Sequence, residues 1–364
     1  MPTLFDPIRL GAIEAPNRIF MAPLTRGRAT REHVPTPLMA EYYAQRASAG
    51  LIITEATGIS REGLGWAYAP GLWTAEQTGG WRPVTEAVHK AGGRIVAQLW
   101  HMGRIVHPSF LGSARPVSAS ASTAPGEART YEGKLPYVEA RPLGLDEIPR
   151  LLDDYRAAAL NAMAAGFDGV EIHAANGYLI DQFLRDGTNH RQDAYGGPVE
   201  NRIRLLSEVA AAVAETVGAE RTGVRLSPNG AAQGCNDSHP EPLFTAAAAA
   251  LSALGIAFLE LREPLGASTF RDRDRPPIAP LIRKAFARTL ILNSDFTPDF
   301  AEATVAEGKA DAITFGRPFI ANPDLPSRIA ERLPLAAAAV ATFYSRGPEG
   351  YVDYPFADVS VPAA

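Results

Sequence analysis

Cysteine and lysine are the scarce residues of this 364-residue chain, which has one cysteine, Cys235, and four lysines, Lys90, Lys134, Lys284 and Lys309. A lone thiol excludes a disulfide within the chain, an iron–sulfur cluster and any paired-cysteine metal site. Cys235 therefore reads as an inert loop thiol. None of the lysines ends a strand-like run, which removes Schiff-base and phosphosugar-lyase chemistry. Charge of one sign is lacking too: the net charge is -5 and the arginines are spread along the chain, so nothing marks a nucleic-acid surface. No apolar run reaches the ~18 residues of a membrane span. The start, Met1-Pro2-Thr3-Leu4-Phe5-Asp6-Pro7, has neither a basic region nor an apolar stretch, so no signal peptide is expected. These absences lead us to expect a soluble cytoplasmic protein. No GxGxxG follows a strand-like run, and Gly63-Leu64-Gly65 lacks the third glycine, so no separate nicotinamide domain is expected. His101 and His107 have no partner at metal-ligand spacing, and no metal is expected. Asn236-Asp237-Ser238 matches a glycosylation sequon without a secretory context, and the alternating charges of residues 271–275 read as a solvated loop.

What is present is a large core and a repeated pattern. Hydrophobic residues make up 46% and charged residues 21% of the chain, and 30 prolines suit many short ordered loops. Eight strand-like runs recur at residues 18–23, 51–56, 94–99, 169–173, 223–226, 256–261, 290–293 and 312–315. Helical patterns lie between and after them at 36–49, 75–91, 146–165, 198–217, 239–254, 280–287, 297–308 and 322–332. Asp146 is a candidate N-cap, and Pro198 a candidate first helical residue. Eightfold alternation predicts an α/β fold, a parallel sheet closed into a single (β/α)8 TIM barrel, with residues 1–364 forming one domain. Residues 4–13 alternate around Gly11 and predict an N-terminal hairpin across the barrel floor. The third strand is followed by a long stretch, residues 100–145, rich in Ser, Ala, Pro and Gly, which reads as an excursion over the barrel mouth.

Such barrels work at the C-terminal ends of their strands. The fourth run, Val170-Glu171-Ile172-His173, passes through Ala174-Ala175 into Asn176-Gly177-Tyr178. His173 and Asn176 are spaced to aim two donors at one oxygen, and Tyr178 adds a weak acid with an ordinary pKa of about 10. Two donors beside a proton source suit reduction of a group conjugated to a carbonyl or nitro function. The other strand ends supply Thr25, Gln98 and Arg225, polar groups that would line a flat heterocycle. A guanidinium beside the pyrimidine end of a flavin would stabilise the anion that reduction creates. Arg225 also has Glu171 and Glu260 as possible barrel partners. After the seventh and eighth strands come Asn293-Ser294-Asp295 and Gly316-Arg317, the usual phosphate seat of barrels. Without a dinucleotide domain, a nicotinamide donor would visit the same flavin face as the substrate, which implies ping-pong turnover.

With these motifs in place the chain resembles the old yellow enzyme family of FMN-dependent ene-reductases, in the bacterial branch of 2-cyclohexenone and N-ethylmaleimide reductases. The resemblance spans nearly the whole chain. It rests on Asn17-Arg18, Met21-Ala22-Pro23-Leu24-Thr25-Arg26, Ala97-Gln98-Leu99-Trp100-His101, residues 173–184, Tyr195-Gly196-Gly197, Val224-Arg225-Leu226-Ser227-Pro228, Phe315-Gly316-Arg317-Pro318 and Gly350-Tyr351. It implies that Pro23, Leu24, Thr25, Ala56, Gln98 and Arg225 hold the flavin and its ribityl chain. Ser294, Asp295, Gly316 and Arg317 would hold the phosphate. His173 and Asn176 would bind the substrate oxygen, and Tyr178 would protonate the α-carbon after hydride reaches the β-carbon. Tyr68, Trp100, Phe270 and Tyr351 would form aromatic substrate walls. NADPH or NADH would be the reductant, and enones, maleimides and nitroalkenes the acceptors, with nitrate esters or nitro compounds as further ones. The resemblance implies a monomer or homodimer. Two departures stand out. Ser294-Asp295 occupies a place where many relatives carry small glycine-rich residues; Asp295 is expected to accept backbone N–H bonds near the helix start. Phe270 falls in the variable loop 262–277. A flavin-binding sensor without turnover is the rival reading, and steady-state alkene reduction at an ordinary rate, of order 1–10³ s⁻¹, would count against it.

Overall fold

Each apolar run supplies one parallel strand in the computed structural model, which describes residues 1–264 and 275–357. The strands are β1 Ile19–Met21, β2 Ile52–Ile53, β3 Ile95–Trp100, β4 Gly169–His173, β5 Thr222–Leu226, β6 Phe258–Arg262, β7 Thr289–Asn293 and β8 Ala312–Phe315. Consecutive strands pair in parallel, and β8 closes on β1 through Ile313↔Ile19, Thr314↔Phe20 and Phe315↔Met21. This is a (β/α)8 barrel. The surrounding helices are α1 Pro37–Gln45, α2 Ala75–Lys90, α3 Ile148–Ala164, α4 Arg204–Val217, α5 Pro240–Ala253, α6 Ala279–Ala285, α7 Pro298–Ala306 and α8 Leu325–Ala330.

Side-chain alternation sorts the strands into an outer and an inner face. Met21, Ile52, Leu99, Ile172, Val224, Leu259 and Ile313 face outward and join the core beneath the helices. The inward positions change character with height. At the floor, Phe20, Val96, Phe258, Ile291 and Ala312 pack with Leu10 and Ile13 of the N-terminal hairpin, in which Ile8–Leu10 pairs antiparallel with Ile13–Ala15. Burying Phe258 alone contributes about 1.5–3 kcal/mol. Its ring has space because Gly223 lies opposite, where a Cβ would stand 2.1 Å from it. One layer higher the inward residues are polar: Gln98, Glu171, Arg225, Glu260, Asn293 and Thr314 are all buried. A sheet that spends inward positions on charge has a site above them.

Three expectations are corrected. The 51–56 run yields only a two-residue strand, because Glu55 turns inward and its Oε2 accepts from the Arg26 and Gly27 amides, both at 3.1 Å. Pairing to β3 resumes at Thr57–Gly58. Asp146 does not cap α3; Glu147 accepts from Gly144 N at 2.8 Å and grips Arg141 with both oxygens, at 2.6 and 2.7 Å. Pro198 precedes a short helix, Val199–Arg202, which breaks at Ile203 before α4 begins.

Between β3 and α3 the chain makes a hairpin, Glu127–Thr130 with Gly133–Pro136, and a parallel pair, Val117–Ser118 with Arg141–Pro142. From this stretch Met102, Ile105, Val106, Phe110 and Ala124 pack against Trp100, Ala56 and Leu64, with Tyr131 and Tyr137 at the margin beside Tyr178. Among the described residues no helix is long and apolar enough to cross a membrane.

Candidate active site

The end of β4 is shaped by a turn that few sequences can make. Asn176 and Gly177 both have positive φ, +59° and +80°, a conformation that asparagine and glycine tolerate best. A Cβ on Gly177 would lie 2.4 Å from the Ala232 carbonyl oxygen. The turn is pinned from below: Asn176 N donates to Ser227 Oγ at 2.7 Å and Gly177 N to Asp181 Oδ2 at 2.8 Å. Gln182 Nε2 donates to the Gly177 carbonyl at 2.8 Å, and Asp181 is held by a buried 2.7 Å ion pair with Arg185. Gly177→Ala is therefore expected to destabilise the fold by about 2–4 kcal/mol, from left-handed strain and the clash. Chemical denaturation checks this, and an unchanged midpoint would contradict the turn's role.

The turn sets His173 and Tyr178 ring against ring, centroids 4.9 Å apart at 88°, with Trp100 edge-on to Tyr178 at 4.9 Å. His173 Nδ1 accepts from Ala175 N at 3.3 Å, which leaves Nε2–H as the donor. Burial, reinforced by Arg225, holds the imidazole well below its ordinary pKa, so it is neutral at physiological pH. Asn176 Oδ1 is buried without a partner.

A cavity of about 720 Å³ opens over this turn, within the range of small-molecule and cofactor pockets. Pro23, Leu24 and Thr25 line it from β1, Asn176 and Tyr178 from β4, and Arg225 from β5; Ser294, Asp295, Gly316 and Arg317 line the far side. Ala56, Gln98, His173 and Trp100 are 5%, 1%, 4% and 1% exposed and stand behind that lining. Gln98 Nε2 donates to Glu171 Oε1 at 2.7 Å. Arg225 Nη2 donates to Asn293 Oδ1 at 2.7 Å, and its Nη1 lies 3.0 Å from Glu260 Oε2. Arg225 Nε and the Trp100 indole N–H are buried without acceptors. Unfilled donors at and behind the cavity wall fit a heterocycle rich in acceptors, and the far side supplies a guanidinium for a phosphate.

Several wall assignments change. Tyr351 is fully buried and stacked on Tyr42 at 4.0 Å, with the Arg26 and Arg28 guanidiniums over its ring, so it is a core residue and not a wall. The aromatic wall is Trp66, Phe343 and Tyr344, with Leu335 and Val340 beside them. Arg26 Nε and Arg28 Nη1 hold that segment through the Phe343 carbonyl at 3.0 and 2.9 Å. Tyr68, at φ +62°, is not among the lining residues; it stands edge-on to Tyr131 at 5.0 Å and under Arg346 at 3.7 Å. Phe270 and most of the 271–275 charge run lie outside the described residues. Asp295 pairs with Arg317 instead of the following helix start, which Thr297 caps by accepting from Phe300 N at 3.3 Å. Arg262 and Gln233 also line the cavity, with no sequence signal beyond their place near strand ends.

Two other expectations concern inert groups. Cys235 lies beneath the turn, its Sγ 3.7 Å from the Gly177 carbonyl, and burial pushes the thiol up to about 11. His101 is buried, lowered to about 4 by desolvation, and accepts from Gly103 N at 3.1 Å. Among the described residues no group of three or more His, Cys, Asp or Glu side chains could hold a metal ion.

The chain is similar to known proteins over its whole length. Residues 3–336 match the NADH:flavin oxidoreductase / NADH oxidase family. The structure of an old yellow enzyme homologue from Zymomonas mobilis superposes with a TM-score of 0.96 at 63% identity, covering 97% of this chain and 99% of that one. Morphinone reductase, solved in complex with tetrahydroNAD, superposes at 0.93 with 44% identity, covering 99% of each chain. Flavin oxidoreductase hxnT of Emericella nidulans is 43% identical over 97% of each chain.

Proposed function

The chain belongs to the NADH:flavin oxidoreductase / NADH oxidase family as an old yellow enzyme, and from that premise we propose that its cavity reduces small cyclic enones, maleimides and nitroalkenes, with nitrate esters and nitro compounds as further acceptors. The protein is an FMN-dependent, NAD(P)H-driven ene-reductase. Bound FMN would supply the hydride relay between the nicotinamide and the β-carbon of the activated alkene.

The observation that carries the reading is that Asn176 and Tyr178 line one side of a cavity, with His173 packed ring against ring on Tyr178, while the other walls hold Thr25, Arg225 and Arg317. His173 Nε2–H and the Asn176 amide donate to the carbonyl or nitro oxygen, drawing electron density from the β-carbon. Tyr178 holds its proton on the same side and delivers it to the α-carbon. Pro23, Leu24, Thr25 and Arg225 seat the isoalloxazine, with Gln98 and Ala56 supporting it from behind. Arg225 offsets the charge that develops on reduction. Ser294, Gly316 and Arg317 take the phosphate, and Asp295 orients the Arg317 guanidinium. Trp66, Phe343 and Tyr344 supply the apolar faces that suit a flat ring, and Trp100 backs Tyr178. Residues 1–364 act as one unit, with residues 100–145 folded over the mouth.

The test is anaerobic. The purified yellow protein should be bleached by NADPH or NADH and regain its colour on addition of 2-cyclohexenone. A colourless preparation that FMN does not reconstitute, or reduced flavin that no alkene reoxidises, would contradict the reading.

A further inference from the structure

Two carboxyls lie in the barrel one layer beneath the cavity, Glu171 on β4 and Glu260 on β6, both fully buried. Each has one satisfied oxygen: Gln98 Nε2 donates to Glu171 Oε1 at 2.7 Å, and Thr314 Oγ1 donates to Glu260 Oε1 at 2.5 Å. Glu260 Oε2 lies 3.0 Å from Arg225 Nη1, whereas Glu171 Oε2 is buried without a hydrogen-bond partner. Glu260 is near enough that its charge makes Glu171 harder to ionise. A buried acceptor without a donor costs about 1–3 kcal/mol, and two facing carboxylates add repulsion. One proton retained by the pair removes that repulsion and the unpartnered charge on Glu171.

Charge counting leads to the same place. The cation facing the pair is Arg225, whose Nη1 is 3.0 Å from Glu260 Oε2. His173, two residues along β4, is held neutral by burial and Arg225. The other polar neighbours, Gln98, Asn293 and Thr314, carry no charge. Two carboxylates against one guanidinium leave a net buried negative charge, which proteins avoid. One retained proton makes the layer neutral. Burial, and then Glu260, push the Glu171 carboxyl well above the usual carboxylate range.

We propose that Glu171 and Glu260 share one proton beneath the flavin and, by fixing the charge around Arg225 and the orientation of Gln98, set how readily the flavin is reduced. They act as positioning residues. Glu171 holds the Gln98 amide by its Nε2 and so leaves the carbonyl end directed elsewhere. The remaining negative charge of the pair partly offsets Arg225, which would otherwise favour the reduced flavin more strongly. The proposal rests on the pyrimidine edge of FMN lying against Gln98 and Arg225.

The experiment measures the flavin reduction potential of holoenzyme at neutral pH, by equilibration with a reference dye. It compares wild type, Glu171→Gln, Glu260→Gln and the double variant. Each single variant keeps one carboxyl, which ionises to balance Arg225, so the two-electron equilibrium should move by less than about threefold. The double variant leaves Arg225 without a counter-charge and should favour reduced flavin at least about tenfold, roughly 30 mV. Additive shifts from the singles, or an unmoved double variant, would overturn the proposal. Should the double variant not retain FMN, infrared difference spectra of the singles decide: each should lose a protonated-carboxyl stretch present in wild type, and retention in both would overturn the shared proton. Arg225→Met separates the premise from the proposal. If it leaves both potential and FMN affinity unchanged, the placing of the flavin fails, whatever the carboxyls do.

Discussion

Tyr178→Phe is expected to slow the reoxidation of reduced enzyme by an activated alkene about 10²–10⁴-fold, the usual worth of a positioned general acid. Reduction of the flavin by NAD(P)H should keep its wild-type rate. The substitution deletes one hydroxyl and little else, since the phenyl ring retains its edge-on packing against Trp100 and His173, both at 4.9 Å. A fall confined to one half-reaction therefore reports lost proton delivery, because a collapsed wall would impair both. Anaerobic stopped-flow measurement of the two half-reactions checks it. Wild-type rates in both would remove Tyr178 from the mechanism.

The second large effect concerns the oxygen-binding pair. His173→Ala or Asn176→Ala should weaken acceptor binding by about 1–2 kcal/mol each, roughly 5- to 30-fold in Kd. With additive losses the double variant should fall about 30- to 900-fold, because each residue is set on its own anchor, Ala175 N for His173 and Ser227 Oγ for Asn176. Titration of the charge-transfer band that phenols induce on oxidised flavin reads this directly. The pH dependence carries a sign. His173 has its pKa held well below the ordinary histidine value by burial and Arg225. The neutral Nε2–H donor therefore persists from about pH 8 down through the usual histidine pKa of about 6.5. Phenol binding that changes at pH 6.5 and loses that change in His173→Ala would contradict a neutral donor.

The barrel was legible because each strand announces itself twice, through its apolar run and through the polar residue at its C-terminal end. Val170 and Ile172 leading to His173, and Val224 leading to Arg225, are cases in point. The floor hairpin was legible too, since Leu10 and Ile13 flank a glycine turn that needs positive φ. The helix entries were not. Asp146 and Pro198 satisfy local capping rules, but Glu147 is recruited by Arg141, and the helix at Pro198 breaks where Arg202 is drawn into a 2.5 Å ion pair with Asp237. Arg141 lies six residues before Glu147 and Asp237 lies 35 residues after Arg202, both beyond the reach of a capping rule.

The site divides in the same way. Residues carried on strands were placed by periodicity, whereas the walls come from irregular chain. Tyr351 and Tyr344 are two aromatics seven residues apart, and nothing in their spacing says which one faces the cavity. The choice is made by Arg26 and Arg28, which take the Thr342 and Phe343 carbonyls and draw Tyr351 inward as a stacking partner of Tyr42. The middle layer was half legible. Glu171 and Glu260 were visible as partners for Arg225, but their facing one another depends on barrel closure.

The central claim is that one cavity serves both reactants in turn, nicotinamide first and alkene second, over the same turn at residues 176–178. Initial rates measured anaerobically, with 2-cyclohexenone varied at several fixed NADPH or NADH concentrations, test it most directly. Parallel double-reciprocal lines, with high enone competing against the nicotinamide, are the predicted result. Lines that intersect, showing donor and acceptor bound together, would contradict it.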